Sequence, residues 1–169
     1  MSDFKIDAYD LAWIDGVEDD PKDLCLHGRA VAIIGDKKLE YDATVSATGL
    51  CLLRTITEDH IINKDIQMFP CCGHTLIPGE DLSEVYIMGC SNGIDWTVLH
   101  EDGYIKIILE DGETTLVEFE QYKQEVFALA DKIESFYNAC SPKRLPKDAF
   151  EKNGYLAFWN EWHRRRNKR

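Results

Sequence analysis

The chain has 169 residues, 44% of them hydrophobic and 11% aromatic, enough apolar material for a folded core and more than an acidic disordered chain carries. Its formal charge is −12, and five of the last six residues are cationic, so the preceding 163 carry −17, from 14 Lys and Arg against 31 Asp and Glu. Such a surface repels nucleic-acid phosphate and anionic lipid and attracts basic proteins, so the expected partner is a basic protein, with no nucleic acid and no membrane.

No apolar run approaches the roughly 20 residues that cross a bilayer. The opening residues, Met1 to Asp7, lack a basic segment ahead of an apolar one, so a cytoplasmic protein is expected. Its six cysteines (Cys25, Cys51, Cys71, Cys72, Cys90 and Cys140) are then expected as reduced thiols. The length predicts a single domain over 1–169, β-rich over 1–118, helical over 119–165 and ending in a basic stub, 164–169.

In chain order, residues 17–23 read as an acidic turn. Residues 29–34 are rich in strand formers, and Leu39, Tyr41, Ala43 and Val45 alternate with Glu40, Asp42, Thr44 and Ser46, the period of a half-buried strand. Gly35-Asp36 between them has hairpin chemistry, and the apolar run 50–56 is predicted to continue the meander. Glu58-Asp59-His60 reads as a solvated turn, because adjacent residues on an extended chain do not converge for acid–base work. Residues 69–81, with Pro70, Gly73, Pro78 and Gly79, have no clear period and are predicted to form a long surface loop.

Four more strands are expected at 85–88, 94–99, 104–109 and 114–117. Asp102-Gly103 and Asp111-Gly112 supply the positive φ of tight turns between the last three. From Phe119 the pattern changes. Phe119, Tyr122, Val126, Leu129, Ile133, Phe136 and Cys140 keep a 3,4 spacing that lies on one stripe of a helix, which Ser141-Pro142 ends. Asp148 with Glu151 matches a capping box and opens a second helix to about residue 165, although Gly154 inside it costs about 1 kcal/mol relative to Ala. The predicted fold class is α+β: an antiparallel, meander-rich sheet of about six or seven strands, with two C-terminal helices packed on or beside it.

The densest metal-capable group is Cys71-Cys72-Gly73-His74, with Cys90 and His100 as possible further ligands. Zinc wants four such ligands in a tetrahedron, usually from paired knuckles. Here the spacing is irregular, and adjacent cysteines on an extended chain point apart. The reading is therefore no cofactor, with zinc on Cys71, Cys72, His74, Cys90 and His100 as the alternative. The acidic field raises thiol pKa values, which argues against a nucleophilic Cys72. The nucleotide-binding glycine loops, the hydrolase serine elbow and the zinc-protease helix motif are absent from the chain.

Trp96 alternates with Ile94 and Val98, which fits a core position or a ligand pocket. Tyr155, Phe158, Trp159 and Trp162 crowd the last helix. Exposed tryptophans there would serve as binding anchors, so Trp159 and Trp162, with the acids Glu80, Asp81 and Glu84, are the candidate partner-binding residues. Function is expected to be non-catalytic: an acidic protein that neutralises a basic partner, by analogy of size and charge with the immunity proteins of nuclease toxins. The alternatives are a small metal- or thiol-dependent enzyme centred on residues 71–74, and a small-molecule-binding domain with a pocket near Trp96.

Overall fold

A computed structural model of the chain describes residues 3–167; Met1, Ser2 and the stub's Lys168 and Arg169 lie outside the described residues. It opens with a strand that the sequence reading did not assign. In β1 (Phe4–Ala12), Phe4, Ile6 and Ala8 face inward while Lys5, Asp7 and Tyr9 face water. It pairs antiparallel with β2 (His27–Ile34), from Phe4 opposite Ile34 to Tyr9 opposite Arg29. The register then shifts where Asp10 takes a φ of 51°. Gly35-Asp36 makes the predicted tight turn into β3 (Lys37–Ala43), with Gly35 at φ 60°.

The chain then departs from the predicted meander. Residues 50–56 do not form a strand: α1 (Val45–Arg54) is a helix whose residues 45–53 are all buried. A segment covered on every side shows no period, so a short apolar run of this kind reads equally as strand or helix. The helix also divides the β structure. Four small antiparallel sheets replace the single sheet of six or seven strands: β1-β2-β3; β4 (Phe69–Pro70) with β7 (Gly93–Ile94); β5 (Thr75–Pro78) with β6 (Val85–Met88); and β8 (Thr97–Glu101), β9 (Tyr104–Ile108) and β10 (Thr114–Glu118) in the order β10-β9-β8. Strands β4 and β5 lie within the predicted loop 69–81. Backbone bonds also tie strands to the connections between them. The Thr44 N–H donates to the Pro70 carbonyl (3.0 Å), and His60 and Val98 exchange two bonds of 2.8 Å.

The C-terminal helices form where the periodicity and the cap place them. α2 (Phe119–Ala139) buries Tyr122, Val126, Leu129, Ala130, Ile133 and Tyr137, while Phe119, Phe136 and Cys140 are only half-covered at its edges. α3 (Ala149–Arg166) starts on Asp148, whose carboxylate accepts from the Glu151 N–H at 3.0 Å. Its Gly154 has a structural reason. A Cβ there would run into the Leu76 carbonyl oxygen of β5, so the bare glycine lets α3 lie directly on the β5–β6 hairpin. Gly49 does the same for α1, since a Cβ would stand 2.5 Å from the Trp162 ring. Buried side chains of all three helices and of strands from all four sheets form one contiguous cluster.

Candidate functional site

The cationic end of α3 folds back onto the acidic body. Arg164 reaches Glu84 and the Ser83 carbonyl, both at 3.3 Å. Arg165 donates to Glu161 (2.8 Å), Glu58 (2.7 Å) and the Thr57 hydroxyl (3.3 Å). Arg166 forms a forked pair with Asp131 (2.6 and 2.8 Å) and stacks over Phe127. Beneath them Glu161, only 1% exposed, takes two bonds from Arg54 (2.7 and 2.9 Å) and one from the Val85 N–H (2.9 Å). Burial alone would raise the Glu161 pKa, but these donors outweigh it and hold the carboxyl below its usual value. This network bolts α1, β6 and α3 together, through residues up to 108 positions apart.

A cleft of about 410 Å³ opens above this network, lined by Arg54, Glu58, Asp65, Glu84, Tyr86 and Arg165 among others. Its rim is the turn between β5 and β6. Gly79 and Glu84 close the turn (N···O 2.9 Å), and Asp81 accepts from the Ser83 N–H (3.0 Å) and hydroxyl (2.7 Å), which lower its pKa. From α3, Asn160 donates to the Leu82 carbonyl (3.0 Å) and Arg164 to that of Ser83, so the turn is held from below. Among the described residues, Glu80 and Asp81 lie at the surface without an ion-pair partner, and Glu84 pairs with Arg164. On the outer face of β6, Tyr86 is 58% and Met88 50% exposed.

The other candidate anchors belong to the interior. Trp162 is fully buried between Phe158 and Trp159, so it is no contact residue. Trp159 is half-buried, ringed by Tyr137, Tyr155, Phe158 and His163. Trp96 is likewise sealed in the core, edge-on to Phe69 at 5.0 Å. The acidic turn 17–23 is sewn to the α2–α3 connection. Asp19 accepts from the Ser141 hydroxyl (2.6 Å), and Lys143 donates to the Asp20 carbonyl (2.7 Å) while lying 3.0 Å above the Trp13 ring.

The structure brings together only part of the five-residue metal set. Cys71, Cys72 and Cys90 place their sulfurs within 4.8 Å of one another. The expectation that adjacent cysteines point apart fails because the chain leaves the extended conformation at Cys71, immediately after β4. Where six separate thiols were expected, the sulfurs of Cys71 and Cys90 lie against each other. His74 stands edge-on to His27 (ring centroids 4.8 Å apart), with Nε2 3.3 Å from the Thr44 hydroxyl. His100 is held by Asp59 through Nδ1 at 2.8 Å. Cys25 and Cys51 are buried, which pushes both thiols up to about 12.

Glu58, Asp59 and His60 do not converge, as expected, yet they are not simply solvated. Glu58 pairs with Arg165, Asp59 with His100, and His60 with the buried Asp95 at 2.8 Å. Neither the Arg54–Glu161–Arg165 network nor the His60–Asp95 pair was found from the sequence, because no spacing connects residues so far apart. Among the described residues, no helix is long and apolar enough to cross a membrane. No family model, curated protein or solved structure matches the chain.

Proposed function

We propose that the chain is a non-catalytic acidic binding protein that occupies a basic surface of another protein in the cytoplasm, in the manner of an immunity-type inhibitor. The docking element in this reading is the β5–β6 hairpin with its 79–84 turn. One observation carries it: the described arginines of the α3 end are spent on Glu58, Glu84, Asp131 and Glu161, while Glu80 and Asp81 have no ion pair among the described residues and share the hairpin with exposed Tyr86 and Met88. An aromatic and a flexible apolar side chain rimmed by unpaired carboxylates is the composition expected of a surface that meets a cationic protein. The turn is already anchored by Asn160 and Arg164, so little ordering is left to be done on binding. The cleft beneath it adds Asp65 to this acidic surface, beside Glu58 and Glu84, which Arg165 and Arg164 already engage.

The test is capture of cationic proteins by the wild-type chain and by an E80K/D81K/Y86A variant, followed by association kinetics on any protein retained by the wild type alone. The variant should lose capture while unfolding at the same denaturant concentration. Equal retention by both chains would remove the hairpin from the interface.

A further inference from the structure

Outside the docking hairpin, the cluster of Cys71, Cys72 and Cys90 has no role assigned. Pairing Cys71 with Cys90 leaves the third sulfur unexplained. It also joins Cα atoms 7.1 Å apart, beyond the span of about 4.4–6.8 Å usual for disulfides. One ion shared by three thiolates accounts for all three. Zinc–sulfur bonds of about 2.3 Å in a tetrahedron put the sulfurs about 3.8 Å apart, inside the 4.8 Å within which these three lie. The surrounding backbone suits it as well. The Cys90 N–H donates to the Cys72 sulfur at 2.9 Å, tying the backbone of one ligand to the sulfur of another. The Cys71 N–H donates to the Asn92 carbonyl (3.2 Å), continuing the β4–β7 ladder as far as the loop that carries Cys90. Gly73, at φ 145°, turns the chain immediately after Cys72, and a Cβ on Gly89 would press against the Cys72 carbonyl oxygen at 3.2 Å.

We propose that Cys71, Cys72 and Cys90 bind one thiophilic divalent cation of the zinc class as thiolates, with the fourth position open to water. Three thiol protons leave for solvent as the ion enters, and no electrons move. The three ligands bracket residues 73–89, so the ion clasps the base of the β5–β6 hairpin. This site stands whether or not that hairpin docks a partner.

The test uses the full chain, reduced with a phosphine, stripped with a chelator and titrated anaerobically with cobalt(II) and then with zinc. The expected result is one equivalent of cobalt with a tetrahedral spectrum and a sulfur-to-cobalt charge-transfer band of three-thiolate intensity, displaced by one equivalent of zinc. Cys72→Ser and Cys90→Ser should each weaken binding by more than about 100-fold, and Cys140→Ser should not. If the cluster variants fail to fold, the wild-type cobalt spectrum still counts the sulfur ligands. An octahedral or substoichiometric cobalt spectrum would overturn the proposal. So would a chain that purifies two hydrogens lighter under non-reducing conditions and takes up no metal once reduced, which would make the cluster a disulfide only.

Discussion

Glu161 is a carboxylate with almost no water around it, and four donors, two of them on Arg54, keep it ionised. Replacing it with glutamine leaves two arginines short of their counter-charge, so E161Q should lose about 3–5 kcal/mol at neutral pH in denaturant unfolding. Acid adds a second signature. The folded pKa lies below that of the unfolded chain, so the stabilisation is complete above the unfolded value of about 4.3 and is lost as pH falls through the folded one. The gap between wild type and E161Q should therefore narrow as pH drops below about 4.3. A gap that stays constant through the acid range would mean that this carboxylate does not titrate as described. Nothing in the sequence announced this residue: Glu161 meets Arg54 only because α3 crosses α1, whereas the charge of the Glu80–Asp81 pair and its place in an irregular stretch were legible directly.

Among the elements, those whose side chains face two environments were readable. α2 has a wet face and a dry face, so its 3,4 spacing marked it nearly to the residue, and Asp148 marked the start of α3. α1 has no wet face, and its uniform burial erased the pattern that would have separated it from a strand. β1 alternates inward and outward over Phe4 to Tyr9, so its period of two is present in the sequence. Two predictions belong to this scale. Ile133→Ala, fully buried on α2, should lose about 2–5 kcal/mol, and a loss under about 1 kcal/mol would place that stripe in solvent. Gly154→Ala ordinarily gains about 1 kcal/mol in a helix, but here the added methyl meets the Leu76 carbonyl, so the variant should be less stable than wild type. A stabilised variant would show that α3 is free to move off β5.

For the whole molecule, the negative charge read from composition remains the strongest functional signal, and what composition hides is where that charge is neutralised. Lys37, Lys38, Arg29 and the described end of α3 are taken up within the chain, so surplus carboxylates are what the proposed partner would meet. Association with a cationic protein should slow by roughly tenfold or more from low to physiological salt, while dissociation changes little. An association rate indifferent to salt would count against electrostatic steering. The division into four sheets was not legible, because sheet membership depends on which backbone edges find each other and α1 intervenes among them. The glycine seats under α3 carry a further consequence, for descent. Every single-nucleotide missense change at a glycine codon adds a side chain, and at Gly49 or Gly154 that side chain would strike Trp162 or Leu76. A mutational scan should therefore show positions 49 and 154 nearly barren beside a permissive charged surface, and a distant cousin of this chain would be recognised by two absent methyl groups and one indole long after its acids had drifted.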